Sequence, residues 1–177
     1  MANENTGGAL QGIDVVWMYR LAEEESASAA WGLAYTTENG YSKSKDSNST
    51  QTKDGAVVTA SGGETTATAK SLYKIGDVAI DKMEDAFDNN KLFQIWRINT
   101  KEKGTVENAE KYKAKYFEGY LTSFEESDTA EDNVEYDLEW GINGTGKNGF
   151  ATFNPETATN ESYKFKDTVK VEEVPEG

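Results

Sequence analysis

Residues 134–142 constrain the fold more than any other stretch. Val134, Tyr136, Leu138, Trp140 and Ile142 fall on one face, and Glu135, Asp137, Glu139 and Gly141 on the other. A period of two belongs to a strand with one buried and one wet face, here a carboxylate face. Such a strand cannot stand alone, and the flanking sequence supplies partners. In 112–124 the alternation places Tyr112, Ala114, Tyr116, Glu118, Tyr120, Thr122 and Phe124 on one face, a tyrosine row suited to cross-strand pairing. In 92–100, Leu92, Gln94, Trp96 and Ile98 alternate with Phe93, Ile95 and Arg97.

Further strands are expected at 13–20, at 30–37 with Trp31, Leu33 and Tyr35 on one face, and at 63–73. The first carries apolar residues on both faces (Ile13, Val15, Trp17 and Tyr19 against Val16 and Met18), which implies a covered or interfacial strand. One helix stands out at 77–89, with Ile80, Met83 and Phe87 on a stripe beside Ala79 and Ala86; that stripe is core packing against a sheet. Asp77 can cap its start, and Asn89 or Asn90 can take the left-handed conformation at its end. The fold class is therefore mainly β: a meander of antiparallel strands with one flanking helix.

Composition bounds what remains. A chain of 177 residues forms one core. Apolar content of 36% with 11% aromatic makes that core depend on Trp, Tyr and Phe, which suit pleated surfaces. A formal charge of -14 argues against a duplex binder and favours long-range repulsion of polyanions. The absence of cysteine removes disulfides and thiolate metal sites. The start, MANENTGGALQG, has neither the basic nor the apolar segment of a secretory signal, and no window approaches the roughly 20 apolar residues of a membrane span. Residues 1–12 read as an N-terminal arm, 13–153 as the folded domain and 154–177 as a C-terminal arm in which Tyr163, Phe165, Val169 and Val171 alternate weakly. Within the domain, 38–63 is almost wholly polar. So long a connection is either a surface hairpin or a loop that orders on a partner.

The motifs that suggest chemistry lack their context. Gly144, Gly146 and Gly149 fit G-x-G-x-x-G, and 141–148 miss a phosphate loop only by Asn148. Phosphate cradles need a helix next, whereas Phe150–Asn154–Pro155 cannot supply one, so a glycine-rich hairpin turn is expected, with 149–153 as its return strand. With neither His nor Cys, the common base and the thiol nucleophile are absent, and adjacent pairs such as Glu135 and Asp137 read as a solvated face rather than an acid/base couple. No catalytic, cofactor or metal residues are assigned and no enzyme activity is expected. Asp46, Asn48 and Thr50 imitate the start of a calcium loop, but Gln51 stands where its glycine is required.

Three pieces in fixed order, Thr52-Lys53-Asp54-Gly55, DKMEDAFDNNKLFQIWRI, and the block from YKAKYFEGYLTSF through AEDN to GFATF, resemble the major tail proteins, or tail tube proteins, of long-tailed phages with non-contractile tails that infect Gram-positive hosts. The resemblance covers about 50–153. It implies a tail-tube-type β-sandwich, hexameric rings stacked into a hollow tube, and genome passage through it. Its implied partners are further copies of the chain, a tape-measure protein and tail-tip or terminator proteins, with no membrane and no specific DNA binding. The implied place is the virion, after assembly in the host cytoplasm. Carried over by position, 38–63 is the ring-stacking loop, with Tyr41, Lys43, Lys45, Asp46, Thr52, Lys53, Asp54 and Gly55 as its contact residues. An acidic lumen wall would spare the duplex the friction of neutralised phosphates. Glu135, Asp137 and Glu139, with Glu118, are the candidates for it. Alternation identifies two faces and not what each one meets, so a solvated outer surface fits the same acids. The alternative from another class is a monomeric carbohydrate-binding or adhesion β-sandwich with exposed Trp and Tyr as a sugar platform.

Overall fold

The computed structural model describes residues 8–154; residues 1–7 and 155–177, and with them most of both expected arms, lie outside the described residues. The strands are β1 (Val15–Leu21), β2 (Thr36–Thr52), β3 (Gly55–Leu72), β4 (Leu92–Lys103), β5 (Tyr112–Ser127), β6 (Glu135–Ile142) and β7 (Lys147–Ala151), with one helix, α1 (Val78–Asp88), among the described residues. They form a 7-stranded antiparallel sheet in the order β1-β4-β5-β6-β3-β2, with β7 paired to β5.

The layers of the expected sandwich come from one sheet curled on itself. Tyr19 of β1 stacks on Trp140 of β6 at 5.1 Å between ring centroids, although β4 and β5 lie between them in the sheet. On a flat sheet that separation is about 14 Å. Trp17 meets Tyr41 of β2 at 6.5 Å, and Asn39 Nδ2 donates to the Tyr19 hydroxyl at 3.2 Å, so the two edge strands face each other across the interior. Burial pushes the Tyr19 phenol above its ordinary pKa and keeps it neutral. The concave face holds Phe93, Ile95, Phe117, Leu121, Leu138 and Trp140, and α1 closes it with Ala79, Ile80, Met83 and Ala86. Asp77 Oδ1 accepts from Ala79 N at 2.9 Å, and Asn90 leaves the helix at φ 51°. Lys91 ties the helix end down, 2.8 Å from Asp85 and 3.0 Å from Glu23. Phe87, at the margin of the stripe, stays 36% exposed and leans on Phe124. The two-sided apolar pattern of β1 is real: Met18 packs with Ile98 and Ala114 on the convex face.

Five expectations are corrected. Ile13 lies in a 3-10 turn (Gly12–Asp14) at 87% exposure, outside the first strand. The expected strand at 30–37 reduces to a single bridge between Trp31 and Tyr19, because Tyr35 takes φ 48° and turns the chain before β2 begins. Phe124 does not share a face with Tyr112 through Thr122. The β5–β6 register jumps between Leu121↔Trp140 and Ser123↔Glu139, so Thr122 is an extra residue that rotates Phe124 into the core. The polar connection 38–63 is paired strand and not an extended loop, so of its two readings the surface hairpin is the one seen: β2 and β3 pair from Thr36↔Ser71 to Thr52↔Gly55.

The glycine turn, by contrast, is no hairpin. β6 and β7 both run antiparallel to β5 on its same edge, Ile142 opposite Gly119 and Lys147 opposite Tyr116, so residues 143–146 bulge out while the chain keeps its direction. Gly146 has φ +78°, and a Cβ there would lie 2.7 Å from Phe117 Cε1 and 3.1 Å from Tyr116 O. Phe117 is 1% exposed and stacked on Trp17, so it cannot retreat. Gly146→Ala is expected to cost about 2–3 kcal/mol by urea denaturation. Gly144→Ala shares the positive φ, with nothing within 4 Å of its Cβ, and should cost about 1 kcal/mol. Equal costs would show that the close approach to Phe117 contributes nothing.

Candidate functional site

The alternation in β6 places its residues as expected. Tyr136, Leu138 and Trp140 are buried, and Glu135 and Glu139 are exposed with Asp137 half-buried on the opposite face. Register then adds acids and one cation that the sequence did not reveal. Asp137 faces Lys70 on β3 and Glu125 on β5, and Lys70 faces Glu38 on β2, so the row Glu38–Lys70–Asp137–Glu125 crosses four strands. Lys70 Nζ lies 3.4 Å from Asp137 Oδ2. Its ammonium is held above its ordinary pKa, first by Asp137 and then by Glu38 and Glu135. Glu125 and Asp137 stand directly opposite as like charges, a pairing that weakens an isolated sheet. The same bulge that buries Phe124 brings Glu125 onto this face; seven residues after Glu118, an unbroken strand would have put it on the other.

Glu118 lies on the same side of the sheet but in different company. It accepts the Tyr116 hydroxyl at 2.6 Å, and its neighbour across β4–β5 is Gln94, itself accepting from Arg20 Nε at 2.8 Å. Burial first, and the Glu118 carboxylate second, push the Tyr116 phenol up. The structure thus brings Glu135, Asp137 and Glu139 together as an open stripe and leaves Glu118 in a hydrogen-bonded cluster with Trp96, which lies 5.2 Å from Tyr116 and carries Arg20 over its ring.

The hairpin of β2 and β3 splits the other candidate residues into two groups. Tyr41 and Lys43 belong to its root. Tyr41 packs against Trp17 and Phe117, under Lys115 Nζ at 5.7 Å, and Lys43 Nζ donates to Thr145 O at 2.6 Å. The register breaks between Ser44↔Glu64 and Asp46↔Ser61, and beyond that break Lys45, Asp46, Thr52, Lys53, Asp54 and Gly55 lie on an arm where every residue is exposed. Thr52 Oγ1 closes the tip by donating to Gly55 O at 2.7 Å. A two-stranded ribbon with no core behind it is marginal in water, and the arm displays Val57 and Val58 at 52% and 66% exposure.

The sugar-platform alternative loses its tryptophans, although Tyr35, Tyr73 and Tyr120 are exposed. Trp17 and Trp140 are in the core at 7% and 0% exposure, and Trp31 and Trp96 are half-buried. Among the described residues no helix is long and apolar enough to cross a membrane.

A curled antiparallel sheet with one helix over its mouth and a long hairpin arm is the fold of tail-tube subunits. The solved SPP1 tail tube matches it with a TM-score of 0.73 at 22% identity, covering 89% of this chain and 91% of that one. The tail of a gene transfer agent particle matches at 0.59 and 12% identity, covering 81% and 100%. In sequence, a putative tail protein of Staphylococcus phage phiMR25 is 34% identical over 165 residues, 90% of this chain and 83% of that protein. The tail tube protein gp17.1* of Bacillus phage SPP1 is 31% identical over 158 residues, and this chain spans 86% of its own length and 56% of that protein's. The phage tail tube protein family model matches residues 9–147. The chain belongs to that family, and it is a structural protein of the phage tail.

Proposed function

We propose that copies of this chain form hexameric rings that stack into a hollow tube for genome passage, with Glu135, Asp137 and Glu139 toward the lumen and the hairpin arm reaching the next ring. The observation that carries this reading is the acidic row itself. Three of its four adjacent strands contribute a carboxylate, and Glu38, Glu125, Glu135 and Glu139 are exposed among the described residues, in a protein whose family builds tubes. A gene transfer agent tail of the same fold was resolved with C6 symmetry, which supports the ring size. A wall of carboxylates keeps the duplex from condensing on it, since each phosphate neutralised by a wall cation would add salt-dependent affinity and drag. Glu118 flanks the stripe and extends the negative field. A tape-measure protein within the tube, and tail-tip and terminator proteins at its ends, complete the set of partners, and the virion is where the protein acts.

Glu135→Lys, Glu139→Lys and Asp137→Lys combined in a virion should leave tails of normal length and slow genome ejection on the order of tenfold at low salt, with recovery as salt screens the new cations. Ejection at the unaltered rate would place this face elsewhere.

A further inference from the structure

One row of the curled sheet carries two cations side by side. Just past the last wholly apolar row, Trp17 on β1, Arg97 on β4, Lys115 on β5 and Asn148 on β7 stand in register across four strands. Arg97 and Lys115 are direct cross-strand partners, which sets their Cβ atoms about 5 Å apart and makes the pair repulsive. Both are half-buried. Arg97 lines a cleft of about 800 Å³ between the facing edges of β1 and β2, floored by Trp17 and Tyr41. Lys115 lies along the Tyr41 ring. Among the described residues neither makes an ion pair, in a chain with 32 acids. Glu38, the carboxylate on the rim of this cleft, is the cross-strand neighbour of Lys70.

We propose that the Arg97–Lys115 pair receives the acidic turn of a second copy of this chain, through Asp128, Glu131 and Asp132. The turn follows the far end of β5, so Lys115 and Ser127 are separated on one strand by on the order of 40 Å. One copy's own turn therefore cannot reach its own pair. All three acids are exposed, and Asp132 alone has a hydrogen bond among the described residues, from Thr129 Oγ1 at 3.2 Å. A guanidinium in a partly dry cleft offers a carboxylate two parallel hydrogen bonds, stronger than the same contact in open water. The receptor and the turn sit at opposite ends of β5, so the contact is head-to-tail, and repeated between stacked copies it gives the stack one polarity. The inference rests on the stacking reading and names the residues that hold the stack.

The test uses the full chain, with tubes counted by negative-stain electron microscopy and by pelleting. Arg97→Gln with Lys115→Gln should cut pelleted tubes at least tenfold while the unassembled protein melts no lower than the unaltered one, because a repulsion has been removed. Asp128→Lys with Glu131→Lys should also cut tubes tenfold. Arg97→Glu, Lys115→Glu, Asp128→Lys and Glu131→Lys in one chain should restore them. Normal tube yield from the Gln pair, a lowered melting temperature of that pair, or failure of the folded fourfold swap to recover tubes each overturns the contact. Absence of tubes from the unaltered chain would instead remove the tube reading, and this contact with it.

Discussion

Removing residues 46–52 together with 55–61, so that Lys45, Lys53, Asp54 and Gly62 close a shortened hairpin, should leave a folded subunit that makes no tubes. The excised residues are all exposed and belong to neither hydrophobic cluster, so no core atom loses a neighbour. Stability by denaturant titration should change by about 1 kcal/mol or less, the range of surface changes away from packed features. Assembly is another matter. The arm extends roughly 30 Å past Lys43, where it last touches the body, and exposes Val57 and Val58, apolar surface that a neighbouring copy can cover. Its removal should abolish long tubes at any protein concentration. The cut must take both strands together. Deleting 46–52 alone would leave residues 55–61 without the strand they pair with. Long tubes from the symmetric deletion would show that the arm does not join rings.

Trp140→Ala should be the most damaging single change. The indole is 0% exposed, stacked on Tyr19 at 5.1 Å and edge-on to Phe93 at 5.9 Å, at the point where the curl brings β6 against β1. Emptying that volume should cost about 3–5 kcal/mol, a large part of the roughly 5–15 kcal/mol that holds a domain together. The melting temperature should fall on the order of 10 °C. Trp140 Nε1 has no hydrogen-bond partner among the described residues, so Trp140→Phe loses ring volume but also removes an unpaired donor, and it should cost less than half as much. A Phe variant as unstable as the Ala variant would point to the indole nitrogen rather than to packing.

What the sequence disclosed follows from what each element buries. β6 and α1 each set one face against the core, so apolar spacing marked both, and Asp77 marked the helix start. The hairpin arm buries nothing. Its Ser, Thr, Asn and Lys residues are held mainly by backbone pairing, and no side-chain period betrays a strand of that kind. The bulge at Thr122 was equally silent, because tyrosines on one side and Phe124 on the other both suit a strand, and only β6 across the ladder shows where the phase shifts. The glycine turn read as a reversal because glycines at positive φ serve hairpins and bulges alike. The acidic stripe was legible as a face. Its reinforcement by Glu38 and Glu125, and the Arg97–Lys115 pair on the other side of the sheet, required the register between strands distant in sequence.

Cryo-electron microscopy of tubes assembled from the full chain tests the account most directly. The map should show stacked rings of six subunits with Glu135, Asp137 and Glu139 on the inner wall and the β2–β3 arm crossing to the adjacent ring. Tubes whose inner wall is formed by another face, with these acids on the outside, would contradict it.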